Sequence, residues 1–198
     1  MPSGIDQILR SRSSGDIPEH WRNRESTSPA LFSIPVLPFK LSPYEERWPR
    51  LYNEEAPLVV RALGPVVAVE HVGSTSVPGL AGKPTIDIAV GIASLDLTEG
   101  AKERMERLGY SYGGDLGQPQ HVFRKGDRVP WHFLVHAVEH ASPMWNDFLY
   151  FRDYLRTHPR EAERYAALKA SLVAERGDWY HGRNKEAFIR PVLDARPT

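Results

Sequence analysis

An α/β (α+β) fold, a mixed sheet with flanking helices and a helical C-terminal subregion, is predicted by three observations. Stretches of helical period alternate with short β-branched runs, in the order helix, two strands, helix, three strands, helices. Turn residues are abundant, with 17 prolines and 15 glycines in 198 residues, too many for a helical bundle. The chain is also long enough to bury a substantial core. The helices are expected on one side of the sheet.

The first 40 residues are set apart. They are rich in Ser, Arg, Pro and Gly and show no sustained period, which predicts a flexible or loosely docked extension anchored near Ile34 to Phe39. The domain is expected over 41–198. Ser42-Pro43 and Trp48-Pro49 each offer a helix start. Trp48, Leu51, Tyr52, Ala56, Val59 and Leu63 then follow helical spacing, with Pro57 as a candidate kink and Gly64-Pro65 as the stop. A strand over Val66–Glu70 runs into a Gly-Ser turn, and a second strand covers Thr85–Ile92. Thr98 caps a helix whose apolar face carries Ala101, Met105 and Leu108, and Gly109 ends it. Tyr110–Tyr112 reads as a short strand. His121–Lys125 and Trp131–Val138 form a hairpin around Gly126-Asp127. Ser142 opens a helix that buries Trp145, Phe148, Leu149 and Leu155. Further helices are expected from about Arg160 to Ala174 and near Lys185 to Leu193, the last limited by Pro191.

Charge and composition narrow the function. Lys+Arg and Asp+Glu both total 25, so no global field recruits nucleic acid, and no basic stripe interleaves with aromatics. A nucleic-acid partner is therefore disfavoured. Arg10, Arg12, Arg22 and Arg24 form one basic cluster, in the extension. Cysteine is absent, which excludes disulfides, thiolate zinc sites and cysteine nucleophiles. No apolar run approaches the ~20 residues a membrane span needs, and the N-terminus lacks a signal core. A cytoplasmic protein without membrane association is expected.

The chemistry concentrates between Val69 and Ile88. A strand delivers the chain to Gly73-Ser74, Thr75 and Ser76 follow, Lys83 stands in the next loop, and Asp87 sits between Ile86 and Ile88. A Gly-Ser turn after a strand can offer backbone N–H groups and hydroxyls to a phosphate. An acid on the next strand can hold the Mg²⁺ that accompanies it. That layout suggests a nucleotide site.

The run from Glu70-His71-Val72-Gly73-Ser74 to Leu80, with Lys83-Pro84 and Ile86-Asp87-Ile88, resembles the signature of the GrpB-like family. The resemblance continues through Trp131 to Glu139, Phe151 to Arg156 with His158-Pro159, Tyr165 to Lys169, and Lys185 with Phe188-Ile189. It covers roughly Ser42 to Leu193. The family implies a nucleotidyltransferase-like fold, and related domains are found fused to the C-terminus of some dephospho-CoA kinases. In that wider fold a Gly-Ser turn is paired with a strand bearing two acids that hold two metals. Here position 89, on the same strand face as Asp87, is Ala89. The third acid's strand carries His132 and His136, about 13 Å apart if both lie on one strand and so unable to share an ion.

The resemblance implies a nucleoside triphosphate, ATP or another, bound with Mg²⁺ on Asp87. It also implies nucleotidyl transfer to, or activation of, a small-molecule substrate. Asp87, His136 and Lys83 are the candidate catalytic residues. His71, Gly73, Ser74, Thr75, Ser76, Lys83, Arg152 and Lys185 are the candidate nucleotide and phosphate ligands. Plainer readings stand beside these. Gly73-Ser74 can be a bare turn, and Asp87 can pair with a Lys or Arg instead of a metal. Lys83 can be a solvated loop residue, and His71 and His136 can be core histidines. Arg152, Asp153 and Arg156 can form ion pairs along their helix. Lys169 and Lys185 can reach phosphate or serve structure. Trp48, Trp145 and Trp179 read as packing residues. Two other function classes remain: a ligand-binding or regulatory module that has lost transfer chemistry, and an enzyme of acyl or amide metabolism with His71 or His136 as general base.

Overall fold

The computed structural model describes residues 41–115, 117–126, 132–176 and 183–197. The N-terminal extension with its arginines, Asp127 and Trp131 of the hairpin, and Trp179 lie outside them. Five helices are described: α1 (Arg47–Leu63), α2 (Glu99–Arg107), α3 (Pro143–Thr157), α4 (Pro159–Arg176) and α5 (Arg183–Asp194). Five strands accompany them: β1 (Val66–Val72), β2 (Ile86–Ile92), β3 (Tyr110–Tyr112), β4 (Gln120–Lys125) and β5 (Phe133–Glu139). The sheet order is β1-β2-β5-β4-β3. β2 and β5 run parallel, and every other pair is antiparallel.

Helices cover both faces of this sheet, which corrects the one-sided expectation. On one face Ile86, Ile88, Val90 and Ile92 of β2 and Val135 and Ala137 of β5 pack with Trp48, Val59 and Leu63 of α1 and Met105 of α2. On the other face Ala89 and Val138 pack with Met144 and Trp145 of α3. The cause lies in β2 itself. Its run Ile86-Asp87-Ile88-Ala89-Val90-Gly91-Ile92 has polarity only at Asp87, so both faces demand cover. Beyond the end of that second face, Val77, Leu80, Leu155 and Tyr165 gather with Phe151 and Phe188 into a separate apolar cluster beneath α3, α4 and α5.

Local chemistry accounts for the element ends. Thr98 accepts a hydrogen bond from Ala101 N–H, and Ser142 accepts one from Trp145 N–H. Helix α1 begins at Arg47, not at Ser42, because Ser42 exchanges two backbone hydrogen bonds with Gly82 instead. Pro57 sits inside α1 without ending it. Pro57 and Asn53, whose carbonyl loses its partner, both face solvent.

Trp48 is 1% exposed at the centre of the larger core. Trp48→Ala is expected to cost about 3–5 kcal/mol in urea unfolding. A loss below about 1 kcal/mol would show that α1 is not docked there.

Candidate functional site

The site forms where β1 and β2 end side by side. Val72, the last residue of β1, pairs with Asp87. The chain then turns at Gly73, with φ 70° and ψ −173°, a conformation nearly confined to glycine, and enters a single 3-10 turn over Ser74–Ser76. A Cβ on Gly73 would overlap Oδ2 of Asp87 and lie 2.9 Å from its Cγ. The turn is thus laid directly against the carboxyl group.

A cavity of about 310 Å³ opens at this contact. Its polar edge carries Ser74, Lys83, Asp87, His136 and Lys185. Its apolar lining is largely helical, with Phe148, Phe151 and Leu155 of α3, Tyr165 of α4 and Ile189 of α5. The spacing of these residues is helical: Phe148, Phe151 and Leu155 share a face of α3, and Lys185 and Ile189 stand four apart on α5.

Burial dominates the electrostatics. It pushes the Asp87 carboxyl up to about 6, against the opposing pull of Lys83 and then Lys185. Lys83 and Lys185 are both held below the ordinary lysine value, again by burial first, while Asp87 pulls them back up. Of the two earlier readings of Asp87, the structure supplies lysine neighbours. The His136 ring, packed 5.1 Å from that of Phe148, is lowered to about 4 by burial, then by Arg124 and Lys83. It is neutral at pH 7. Its Nδ1–H donates to Oε1 of Gln120 at 3.1 Å, which leaves Nε2 as the basic atom.

Other predicted ligands lie behind the cavity wall. His71 is buried, stacked on Tyr52 at 4.8 Å, and lowered to about 4 by burial and then by Arg156 and Arg152. Thr75 Oγ1 donates to the Thr85 carbonyl, so the 3.0 Å bond to His71 uses His71 Nε2–H as donor. Ser76 Oγ donates back to the Gly73 carbonyl at 2.6 Å. These three side chains brace the turn. Arg152 reaches the cavity edge, but its guanidinium donates to Glu70 at 2.6 Å, to the His71 carbonyl and twice to Asp153. Arg156 donates twice to the Ser76 carbonyl. The two arginines clamp the signature loop from α3, so the ion-pair reading of Arg152 prevails.

Two charged groups gain importance. Lys169 is fully buried under the turn, where its Nζ donates to Ser74 Oγ at 2.9 Å and to the Ala81 carbonyl. Asp147, absent from the sequence reading, is fully buried at the cavity and accepts from Arg196 at 3.1 Å. Its position one residue before Phe148, on the face that also carries Phe151, was the available signal.

Residues 38–195 match the GrpB protein family profile. The chain belongs to the GrpB family. It is 30% identical over 159 residues to the glutamate-rich protein GrpB of Alkalihalophilus pseudofirmus, covering 76% of this chain and 91% of that one. It is 37% identical over 137 residues to the UPF0157 protein YqkA of Bacillus subtilis, covering 68% of this chain but only 40% of YqkA. A crystal structure of the conserved protein GrpB from Enterococcus faecalis superposes with a TM-score of 0.72 at 32% identity, covering 78% of this chain and 95% of that one.

The donor set around Asp87 among the described residues does not fit a resident metal. Among the described residues, no group of three His, Cys, Asp or Glu side chains could hold one. Asp87 is flanked by two lysines, and Ala89, where a second acid would stand, is fully buried against Met144 and Trp145. No described helix is long and apolar enough to cross a membrane.

Gly73→Ala is expected to cost about 2–3 kcal/mol through the strained backbone, and more from overlap with Asp87. Thermal unfolding checks this, and an unchanged midpoint would refute the contact. Lys169 yields a pH signature. Burial, and secondly Lys185, lowers it from 10.5 to about 7. Between those values the unfolded chain holds a proton that the folded chain has released, so this group makes stability rise with pH. Lys169→Met removes that slope. Its stability relative to the wild type should be highest at pH 7 and decline towards pH 9.5 in urea titrations. A constant difference would mean the amine is not desolvated.

Proposed function

We propose that the cavity binds the phosphates of a nucleoside triphosphate. Lys83 and Lys185 would meet the negative charge, Ser74 would orient it, and the base or sugar would rest on the apolar wall. The observation that carries this reading is the convergence of two desolvated lysines and a serine hydroxyl on one concave surface. Burial disfavours the charged form of both lysines, and an anion placed beside them favours it. The cavity lies at the low end of the ~300–1,000 Å³ usual for ligand sites. It suits a compact ligand, or the phosphate end of a longer one. The family resemblance to nucleotidyltransferases points the same way.

Mg²⁺ enters this reading as part of the substrate, carried in by the phosphates and met by Asp87. Nucleotidyl transfer to a small molecule, or its activation, would then proceed without the second acid of a two-metal site. His136 Nε2 is the neutral basic atom placed to receive a proton from such a molecule. The regulatory-module reading gains its support from Ala89, an apolar residue buried among Val138, Met144 and Trp145 where a two-metal site would place a second acid.

Isothermal titration with ATP, GTP, CTP and UTP tests the proposal. Lys185→Ala should weaken binding roughly 10-fold or more, as expected for a charged hydrogen-bond partner. Asp87→Asn should tighten metal-free binding by removing a like charge and weaken binding in Mg²⁺. Absence of binding to all four nucleotides would overturn the reading.

A further inference from the structure

Lys169 carries a chemistry that phosphate binding does not require. Its side chain is fully buried, its two acceptors are neutral oxygens, and its Nζ lies 4.8 Å from the centre of the Tyr165 ring. No carboxylate neutralises it among the described residues. One of its acceptors, Ser74 Oγ, belongs to a residue that lines the cavity. The pair is held tightly. A Cβ on Gly82 would lie 2.7 Å from Ser74 Cβ and 3.8 Å from Lys169 Nζ, so the loop closes over both residues.

We propose that Ser74 and Lys169 form a nucleophile–base pair that accepts the acyl group of an acyl phosphate. A serine hydroxyl within hydrogen-bond reach of a desolvated amine is the arrangement by which lysine activates serine. Burial brings Lys169 to about 7, so a large neutral fraction exists at physiological pH. The cavity matches both halves of such a substrate. Lys83 and Lys185 face the phosphate, and Phe148, Phe151 and Leu155 face an apolar acyl body. The substrate class rests on the anion-site reading above.

The step balances without an added reagent. Ser74 Oγ bonds to the carbonyl carbon while its proton passes to Lys169 Nζ. The bond from that carbon to the phosphate oxygen breaks, and the electron pair leaves on phosphate, which takes the proton from Lys169. Water then adds to the acyl-serine carbonyl with Lys169 as base, and the proton returns to Ser74 Oγ as the carboxylic acid departs.

Benzoyl phosphate is the probe. The full chain is incubated with it, followed by intact-mass analysis, peptide mapping and phosphate release, while inorganic phosphate binding is measured separately by calorimetry. A benzoyl ester on Ser74, or phosphate release lost in Ser74→Ala, is the expected result. The rate should rise with pH through about 7. It should fall roughly 100-fold in Lys169→Met, the scale of a general base, with phosphate binding retained. Phosphate binding without reaction at Ser74 overturns the nucleophile and leaves the anion site standing. Absence of both overturns both readings. Reaction of Lys169→Met at the wild-type rate overturns the base. Should that variant fail to fold, a wild-type rate that is flat from pH 6 to 8.5 does the same.

Discussion

The missing side chain of Gly73 lets the end of β1 lie against the carboxyl of Asp87, and the site is built outward from that contact. With the turn pressed onto β2, the backbone reverses in one 3-10 turn and presents Ser74 to the cavity, while Thr75 and Ser76 are drawn into bracing bonds. The arginines of α3 hold the same loop by its carbonyls. Lys169 supports it from below. Separate elements thus converge on a few residues of backbone, so the position of Ser74 is over-determined, as a preorganised site requires.

Much of this was legible in the residues. The apolar periods of α1, α2 and α3, the Ser142 and Thr98 caps and the β4–β5 pairing all follow from local pattern, and Trp48 and Trp145 lie in the cores as expected. Of the candidate residues, Gly73, Ser74, Lys83, Asp87, His136 and Lys185 line one cavity, together with Arg152 at its edge. What local pattern could not show was which polar side chains face inward to ligand and which face inward to protein. His71, Thr75 and Ser76 have the same chemistry as exposed ligands, and their engagement by Tyr52, Thr85 and Gly73 depends on contacts outside their own segment. Lys169 was legible only as a residue that reaches phosphate or serves structure, and its contact with Ser74 was not, for the same reason. Helical spacing places it beside Tyr165, but its partner Ser74 is 95 residues away.

The charge arrangement separates this cleft from a two-metal centre. A metal pair needs clustered carboxylates, whereas here a single buried acid lies near two lysines and the adjoining β2 position is packed against Met144 and Trp145. The positive potential comes from side chains fixed in the fold and not from a borrowed ion. In the anion-site reading proposed above, the strength of the site would be tuned by how dry the lysines are kept.

The bridge between Ser42 and Gly82 has a mechanical side. Two backbone hydrogen bonds splice the chain ahead of α1 to the loop that carries Lys83, and Leu41 beside it packs against Leu172, three residues beyond Lys169 on α4. Gly82 has no slack against Ser74. The entry to the domain is therefore fastened both to the loop over the serine and to the helix under it, so those two parts of the cleft share one anchor at the start of the described fold.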